Sequence, residues 1–376
     1  MVRKIIIVVE NLKMGGVQRI ALDEAYGFAS KEISVTLISL EDFSVDLSDS
    51  FLNGEKDLIS QYNLIIKSSS GKRLDQLLYF RSLLKSFDWS THIISHSLRG
   101  TVLIWFAKFS CRKNLRVHTV IHQLPSLSAP VQRFKRFIYA LFSNDLYAFS
   151  LAAKSDWEHK IRSSILLRFF FRKKPITLLR NGVFLKRLPV KSDESSAHRS
   201  SNIRLIFLGR PVKWKGVIKV LELLGTERLI SATAMFYFPY DNQQLFSDVS
   251  TQIRDRTTMV FGKTIRDYSP QIGDVHLYPV DYGNGGAFVE SISLNCLEML
   301  ALGVPSCVTK DGLGTWPELS NHVLISEVDW SDLDKTAEKI FESHAVRCSD
   351  TELMSARAIA SIDGHIEQLI KILNDK

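Results

Sequence analysis

The sequence predicts two α/β domains in tandem, each a doubly wound parallel sheet, with a ligand cleft facing the carboxyl ends of the strands. Three observations carry this. The chain has 376 residues, more than one ordinary hydrophobic core holds. Short β-rich apolar runs alternate with helix-period segments, the pattern of βαβ units and a parallel sheet. A polar, serine-rich stretch, KRLPVKSDESSAHRSSN at residues 186–202, interrupts the alternation once and has the chemistry of a linker. The expected boundaries are an N-terminal domain over 1–183, a linker over 184–202, a C-terminal domain over 203–360, and a last helix over 361–376 for which packing back on the first domain is one option.

In the first half KIIIVV reads as a buried strand, and a helix follows from Val17 with Val17, Ile20, Ala21 and Ala25 facing inward. ISVTLISL, THIISH and LRVHTVIH continue the alternation. KPITLLRNGV closes it, because Asn181–Gly182 is a turn signal after a strand. The second half begins at IRLIFLG and runs through SATAMFYFP, TTMVFG and DVHLYP to PSCVT.

Composition narrows the partners. The net charge is +8, which favours an anionic partner such as a nucleotide, a phospholipid surface or nucleic acid. The basic residues are scattered and form no recognised nucleic-acid module, so nucleic acid is not expected. No stretch reaches the ~18 consecutive apolar residues of a spanning helix. The opening MVRKIIIVVENLKMGG has a short apolar run followed by a turn, which reads as a strand and not as a signal peptide. Cys111, Cys296, Cys307 and Cys348 lack metal-ligand spacing and fit a reduced compartment, so a cytoplasmic location is expected. His92, His96, His118 and His122 recur at spacings of four along strand-like runs, which gives no clean zinc pair; His96 and His118 read as satisfied core or rim residues. No metal site is expected.

Three segments carry candidate chemistry. In RLIFLGRPVKWKGVIKVLELL a strand ends at Gly209, and Arg210 and Lys215 punctuate the loop before a helix. A pair of cations at a βα turn suits a pyrophosphate clamp, arginine as a fork and lysine as a point charge, or else is a pair of solvated surface residues. In ESISLNCLEMLALGVP, Ser293 is a helix N-cap, Leu294, Leu297 and Ala301 form an apolar stripe, and Gly303 and Pro305 stop the helix. The amides of Ser291, Ile292, Ser293 and Leu294 then make a positive helix terminus, with Glu290 just outside it. Glu298 falls on the stripe, which predicts a half-buried carboxylate in need of hydrogen-bond partners, a ribose diol being one. In VVENLKMGGVQRIALDEA, Gly15–Gly16 stands between strand and helix, either to admit a ligand to the backbone or as a tight turn. Asp332-Leu-Asp334 opens a late helix and reads as a cap, not a metal motif.

In combination and in this order, MGGVQR, TVIHQLP, LLRNGV, LGRPVKWKG, DVHLYP and ESISLNCLEMLALGVP resemble the retaining glycosyltransferases with two Rossmann-like domains, the GT-B fold, of the family-four or group 1 type. The resemblance covers almost the whole chain. It implies that Arg210 and Lys215 hold the donor diphosphate, that Glu298 binds the nucleotide ribose and that Glu290 meets the donor sugar hydroxyls. It further implies that Gly16 lies beside the phosphate and acceptor and His122 near the transferring sugar. The donor so implied is a UDP- or GDP-linked hexose, with no cofactor and no metal. The acceptor is a saccharide or a lipid-linked saccharide in polysaccharide or lipopolysaccharide synthesis. Two features depart from the family: Ser291 and Ser293 replace glycines after Glu290, and VDYGNGGAFV is a longer glycine-rich insertion than usual. A nucleotide-sugar 2-epimerase of the same fold and a catalytically silent nucleotide-binding homologue are the alternatives.

PVQRFKRFIYALF, residues 130–142, places Phe134, Phe137, Ile138, Leu141 and Phe142 on one helical face beside Arg133, Lys135 and Arg136, and RSSILLRFFFRKKP adds a second basic and aromatic segment. Such segments either lie in an anionic membrane interface, making the protein peripheral on the inner face of the cytoplasmic membrane and Arg133, Lys135 and Arg136 its acceptor or membrane face, or pack on the sheet with their cations outward.

Overall fold

The computed structural model describes residues 2–13, 15–41, 52–69, 71–87, 91–111, 115–122, 129–171, 174–189, 202–247, 249–263, 265–280, 293–309, 316, 319–346 and 348–375. The chain divides into two compact units, Met1–Phe184 with Ile362–Lys376, and Leu185–Ser361. Residues 185–189, expected in the linker, are thus part of the second unit, and 190–201 lie outside the described residues.

In the first unit β1 (Lys4–Val9), β2 (Ser34–Ser39), β3 (Ile65–Ser68), β4 (Thr91–Ser95), β5 (Arg116–Ile121), β6 (Asp145–Ala148) and β7 (Ile176–Leu178) form a seven-stranded parallel sheet ordered β3-β2-β1-β4-β5-β6-β7. The helices are α1 (Gly16–Ser30), α2 (Lys56–Gln61), α3 (Arg73–Lys85), α4 (Leu98–Cys111), α5 (Pro130–Leu141), α6 (Leu151–Ser163) and α7 (Ile165–Phe171). Ile5 to Val9 are all buried, as a strand covered on both faces requires. Ile6, Val8, Ile38, Ile93 and Val117 pack against Phe80 and Leu84 of α3 and Ile104 and Ala107 of α4. Further along, Leu146, Ala148 and Ile176 pack with Phe137, Trp157 and Phe171.

In the second unit β8 (Arg204–Leu208), β9 (Thr233–Phe238), β10 (Thr257–Phe261), β11 (Asp274–Tyr278), β12 (Ser306–Val308) and β13 (Ile325–Glu327) form a six-stranded parallel sheet ordered β10-β9-β8-β11-β12-β13. Its helices are α8 (Val217–Leu224), α9 (Thr251–Arg254), α10 (Leu294–Ala301), α11 (Leu333–Ala345) and α12 (Asp350–Ala360). Asp332 caps α11, its side chain accepting from Lys335 N at 3.1 Å, as expected from the sequence. Arg204 and Asp274 stand opposite each other where β8 and β11 begin. Arg204 Nε and Nη2 reach the two carboxylate oxygens at 2.6 and 2.7 Å, a fork that fixes the register of the two central strands.

The last helix, α13 (Asp363–Asn374), belongs to the first unit and packs on α1. A Cβ on Gly27 would stand 2.6 Å from Ile366 Cγ1, so the missing side chain is what lets the two helices close. Val2 N bonds Asn374 Oδ1 at 3.0 Å, Ile362 N bonds Val183 O at 2.9 Å, and Gln368 Nε2 bonds Leu178 O at 3.0 Å. Covered by the sheet and by α13, α1 is buried without a break from Ile20 to Phe28, including Asp23 and Glu24.

His276 on β11 is fully buried, with Nδ1 3.1 Å from the Ser306 hydroxyl, and burial pushes its pKa down from 6.5 to about 3. The unfolded chain takes up this proton near pH 6.5 and the folded chain does not, so the stabilisation is complete above 6.5 and is lost as the pH falls towards 3. We expect the thermal midpoint to fall between pH 7 and pH 4.5, a window that lies above the ordinary carboxylate pKa values. The slope should be shallower in His276→Gln, whose amide keeps a hydrogen-bonding group but takes no proton; parallel melting curves across that window in wild type and variant would contradict the assignment.

Candidate functional site

In a doubly wound sheet a ligand crevice opens beyond the carboxyl ends of the strands where the strand order reverses. In the second unit those strands are β8 and β11. The chain leaving β8 passes Gly209 and the exposed Arg210 into a 3-10 turn, Lys213–Lys215. Asn242 Nδ2 donates to Pro211 O at 2.9 Å and pins this loop. Gly216 follows in the left-handed region, φ 76° and ψ 21°, and a Cβ on it would stand 1.8 Å from the backbone oxygen of Pro279, just past β11. Glycine is therefore what lets the loop press against the exit of β11. Lys215 Nζ lies 3.4 Å from the Tyr278 hydroxyl and 5.3 Å from the centre of its ring, so the lysine is steered by the last residue of β11.

The start of α10 meets the same strand end. Asn295 Nδ2 donates to Leu208 O at 2.7 Å, and the Ser293 hydroxyl caps the helix by accepting from Asn295 N at 3.2 Å. Arg210, Lys215, Ser293 and the buried Leu294 are thereby brought to one end of one sheet, from segments about eighty residues apart in the chain. Glu290, Ser291 and Ile292 lie outside the described residues, as does 281–289 of the glycine-rich insertion.

Glu298 departs from expectation. It is fully buried instead of half-buried, and its Oε1 accepts from Arg187 Nη2 at 2.7 Å. Every residue of α10 except Asn295 is buried, so the helix has no wet side on which a carboxylate could rest. A buried carboxylate costs several kcal/mol unless a cation meets it, and Arg187, itself buried in the turn Leu185–Arg187, supplies one. Sequence reasoning missed Arg187. The available signal was a glutamate among leucines that needed a donor, together with a cation set between Leu185 and Leu188.

In the first unit the order reverses between β1 and β4. Glu10, after β1, accepts from Ser97 Oγ at 2.5 Å and lies 3.1 Å from Arg99 Nε, tying the two strand exits together. Gly15 is an extended N-cap of α1 that makes no side-chain cap bond, and Gly16 is exposed. A Cβ on Gly16 meets nothing within 4 Å among the described residues.

The histidines fall into two pairs. His92 stands opposite Arg116 and Ser95 opposite Thr119, which makes histidines 26 residues apart diagonal neighbours on one face. At the amino end His92 Nδ1 lies 3.3 Å from His118 Nε2, and His118 Nδ1 lies 3.0 Å from the Tyr147 hydroxyl and 3.1 Å from Asp145. At the carboxyl end His96 Nδ1 lies 2.9 Å from His122 Nε2. His96 Nε2 reaches Glu24 Oε2 at 2.8 Å, and His365 Nε2 of α13 reaches the other oxygen at 2.9 Å. Burial alone would raise the Glu24 pKa, but the attraction of His96 and the hydrogen bonds from His365 and His96 outweigh it and bring the carboxyl down to about 2. Burial, then the neighbouring His96, hold His122 at about 3 against the pull of Glu24, so His122 is neutral near pH 7. Neither Glu24 nor His365 was singled out from sequence, since nothing in α1 or α13 alone says that they meet.

The expected stripe on α5 is only partly correct. Phe137 and Ala140 are buried, while Phe134 stays open to solvent, Arg133 and Arg136 are half-buried and Lys135 is exposed. Helical period assigned the face but not how much of it finds a partner.

We expect Gly216→Ala to lower the thermal midpoint, because its Cβ meets a backbone oxygen and the loop carrying Lys215 must move. The loss should exceed about 1 kcal/mol, some 2–4 °C. Gly262, at φ 67° with nothing within 4 Å of a Cβ, controls for backbone strain alone. Equal losses in Gly216→Ala and Gly262→Ala would show that the close approach to Pro279 is unimportant.

No family model matches the sequence, and no curated protein matches it. Solved structures do. HepE from Anabaena, solved with UDP-glucose, is similar with a TM-score of 0.68 over 99% of this chain and 100% of that one, at 15% identity. Sucrose-phosphate synthase from Thermosynechococcus elongatus is similar with a TM-score of 0.67 over 99% and 98%, at 14% identity. The lipopolysaccharide outer core galactosyltransferase WaaB, in its apo form, gives 0.61 over 99% of each chain at 12% identity. With a parallel α/β sheet in each unit and this likeness along its whole length, the chain has the GT-B fold.

Proposed function

We propose that the protein is a retaining glycosyltransferase that moves a hexose from a UDP- or GDP-linked donor to a saccharide or lipid-linked saccharide in cell-surface polysaccharide or lipopolysaccharide synthesis. The observation that carries this reading is the cationic loop of Arg210 and Lys215 beside the N-terminus of α10, at the strand reversal of the second sheet. Support also comes from the fold shared with HepE, which was solved with UDP-glucose, and with WaaB, which is named as a galactosyltransferase.

The chemistry follows from charge. As the bond between the anomeric carbon and the diphosphate breaks, the electron pair leaves with the phosphate and positive charge develops on the sugar. Cations and helix amides fixed at the diphosphate favour that state over the ground state. Arg210 and Lys215 supply the positive charge in this reading, so it calls for no metal and no cofactor. In the first unit His122 and Gly16 serve the sugar and acceptor, and the open space over Gly16 suits close approach of a ligand. The Ser293 hydroxyl caps α10 at Asn295 N, and the positive end of the helix dipole there favours an anion. Glu290 remains assigned to the sugar hydroxyls and Glu298 to the ribose edge. For Glu298 the Arg187 pair makes the role one of holding the α10 terminus in place as much as of contact.

The membrane reading of the first unit has its support in exposed apolar side chains. Phe109 of α4, Phe134 of α5 and Phe169 of α7 are 74%, 63% and 78% exposed, and α5 touches both α4 and α7. Lys135, Arg162 and Arg168 lie on these or adjoining helices, as an anionic interface requires. Among the described residues no helix is long and apolar enough to cross a membrane. We place the enzyme in the cytoplasm, peripheral on the inner face of the cytoplasmic membrane.

Arg210→Ala and Lys215→Ala should each weaken UDP or GDP by about 1.5–3 kcal/mol, roughly 10- to 100-fold, in calorimetry. Transfer should fall with it, and unchanged affinity in both variants would remove the clamp. Wild-type protein should sediment with anionic vesicles at low salt. Phe109→Ser with Phe134→Ser and Phe169→Ser should release it while nucleotide affinity is kept, and wild-type protein left in the supernatant would end the membrane reading.

A further inference from the structure

His122 is the end of a continuous line of contacts that runs inward through His96 Nδ1 at 2.9 Å, from His96 Nε2 to Glu24 Oε2 at 2.8 Å, and from Glu24 Oε1 to His365 Nε2 at 2.9 Å. The rings of His96 and His122 stack with centres 5.1 Å apart. The direction of each bond follows from the chemistry of its partners. An ionised carboxylate only accepts, so His96 and His365 both carry a proton on Nε2. If the ring carries a single proton and that proton is the one on Nε2, His96 Nδ1 is bare and can only accept. His122 Nε2 must then donate, and His122 Nδ1 is left as a lone pair. Without Glu24 the His96 ring could take either tautomer, and His122 Nδ1 would alternate between donor and acceptor.

His365 makes the arrangement tighter. It is buried, its Nε2 is used on Glu24, and its Nδ1 has no hydrogen-bond partner among the described residues. A buried ring nitrogen without a partner costs free energy, and the bond to Glu24 is the gain that offsets it. The residue sits on α13, so the last helix of the chain supplies the second donor that a lone buried carboxylate needs.

We propose that His96, carrying a single ring proton that Glu24 holds on Nε2, is a positioning residue that fixes His122 in its Nε2–H tautomer, so that Nδ1 meets the substrate as a hydrogen-bond acceptor, and that His365 secures Glu24 from the other side. A fixed acceptor takes a sugar hydroxyl in a single orientation, and support from behind a reacting group is what holds such geometry. The functional half of this proposal rests on the glycosyl-transfer reading; the tautomer does not.

The test is nitrogen NMR of histidine-labelled, ligand-free protein near neutral pH, with His122 assigned through His122→Gln. Wild-type His122 should show one tautomer, protonated at Nε2 and bare at Nδ1. In His96→Phe both tautomers should be populated. In Glu24→Gln, an isosteric change, the amide cannot accept from two imidazoles, so His96 or His365 should reverse its tautomer. His365→Leu should loosen the His122 pattern and His365→Gln, which keeps an N–H donor, should restore it. With transfer assayed, His96→Phe should lower kcat about 10- to 100-fold while KM for the donor stays within about twofold. A tautomer mixture in wild type, an unchanged His122 pattern in His96→Phe, or no reversal in Glu24→Gln overturns the proposal whatever the protein transfers. A changed pattern with unchanged kcat overturns the functional half. No transfer by the wild type, with the tautomer shift intact, overturns the glycosyl-transfer reading and leaves the positioning in place.

Discussion

The constraint on which most of this structure depends is the cost of a carboxylate without water. Among the described residues each unit buries one glutamate completely, Glu24 in the first and Glu298 in the second. An unpaired carboxylate in such surroundings costs several kcal/mol, so each demands a partner from a distant part of the chain. Arg187 meets Glu298 across 111 positions of sequence, and His365 meets Glu24 across 341. Both partners come from segments that close their unit: the turn that opens the second, and the helix that returns to complete the first.

The same constraint places the chemistry. Glu298 is one turn into α10, whose first residues sit at the end of β8 beside the Arg210 and Lys215 loop. Pairing Glu298 with Arg187 fixes that helix, and Asn295 locks its start to Leu208. In the first unit Glu24 lies beneath the exit of β4 and holds His96, which holds His122. Preorganised polar groups gain strength from a dry surrounding and need no rearrangement at the moment of reaction. In both units that rigidity is derived from a buried charge behind the crevice, not from the crevice itself.

The elements that escaped sequence reading share a cause. Strands β3 and β13 lie at sheet edges, and β3 alternates exposed with half-buried residues instead of showing an apolar run. Strand β6 spans four residues, too short for a period to declare itself. An edge strand buries little and a four-residue strand offers too few positions, so each leaves little trace in the local pattern. The central strands, sandwiched by helices on both faces, could be read directly because every residue of KIIIVV after Lys4 is buried.

By itself the sequence determined the parallel α/β class, the break into two sheets and the identity of the loops that follow β1, β8 and β11, because these depend on local period, turn residues and burial of contiguous runs. It also marked Arg210, Lys215, Ser293 and His122 as residues worth attention. Only the tertiary structure decided that Glu298 is fully buried against Arg187, that Phe134 on the apolar face of α5 stays open to solvent, and that Glu24 joins His96 to His365. The physical reason is the same in each case. Burial and ion pairing are properties of what lies across from a side chain, and residues 72 or 341 positions apart carry no record of each other in any local pattern.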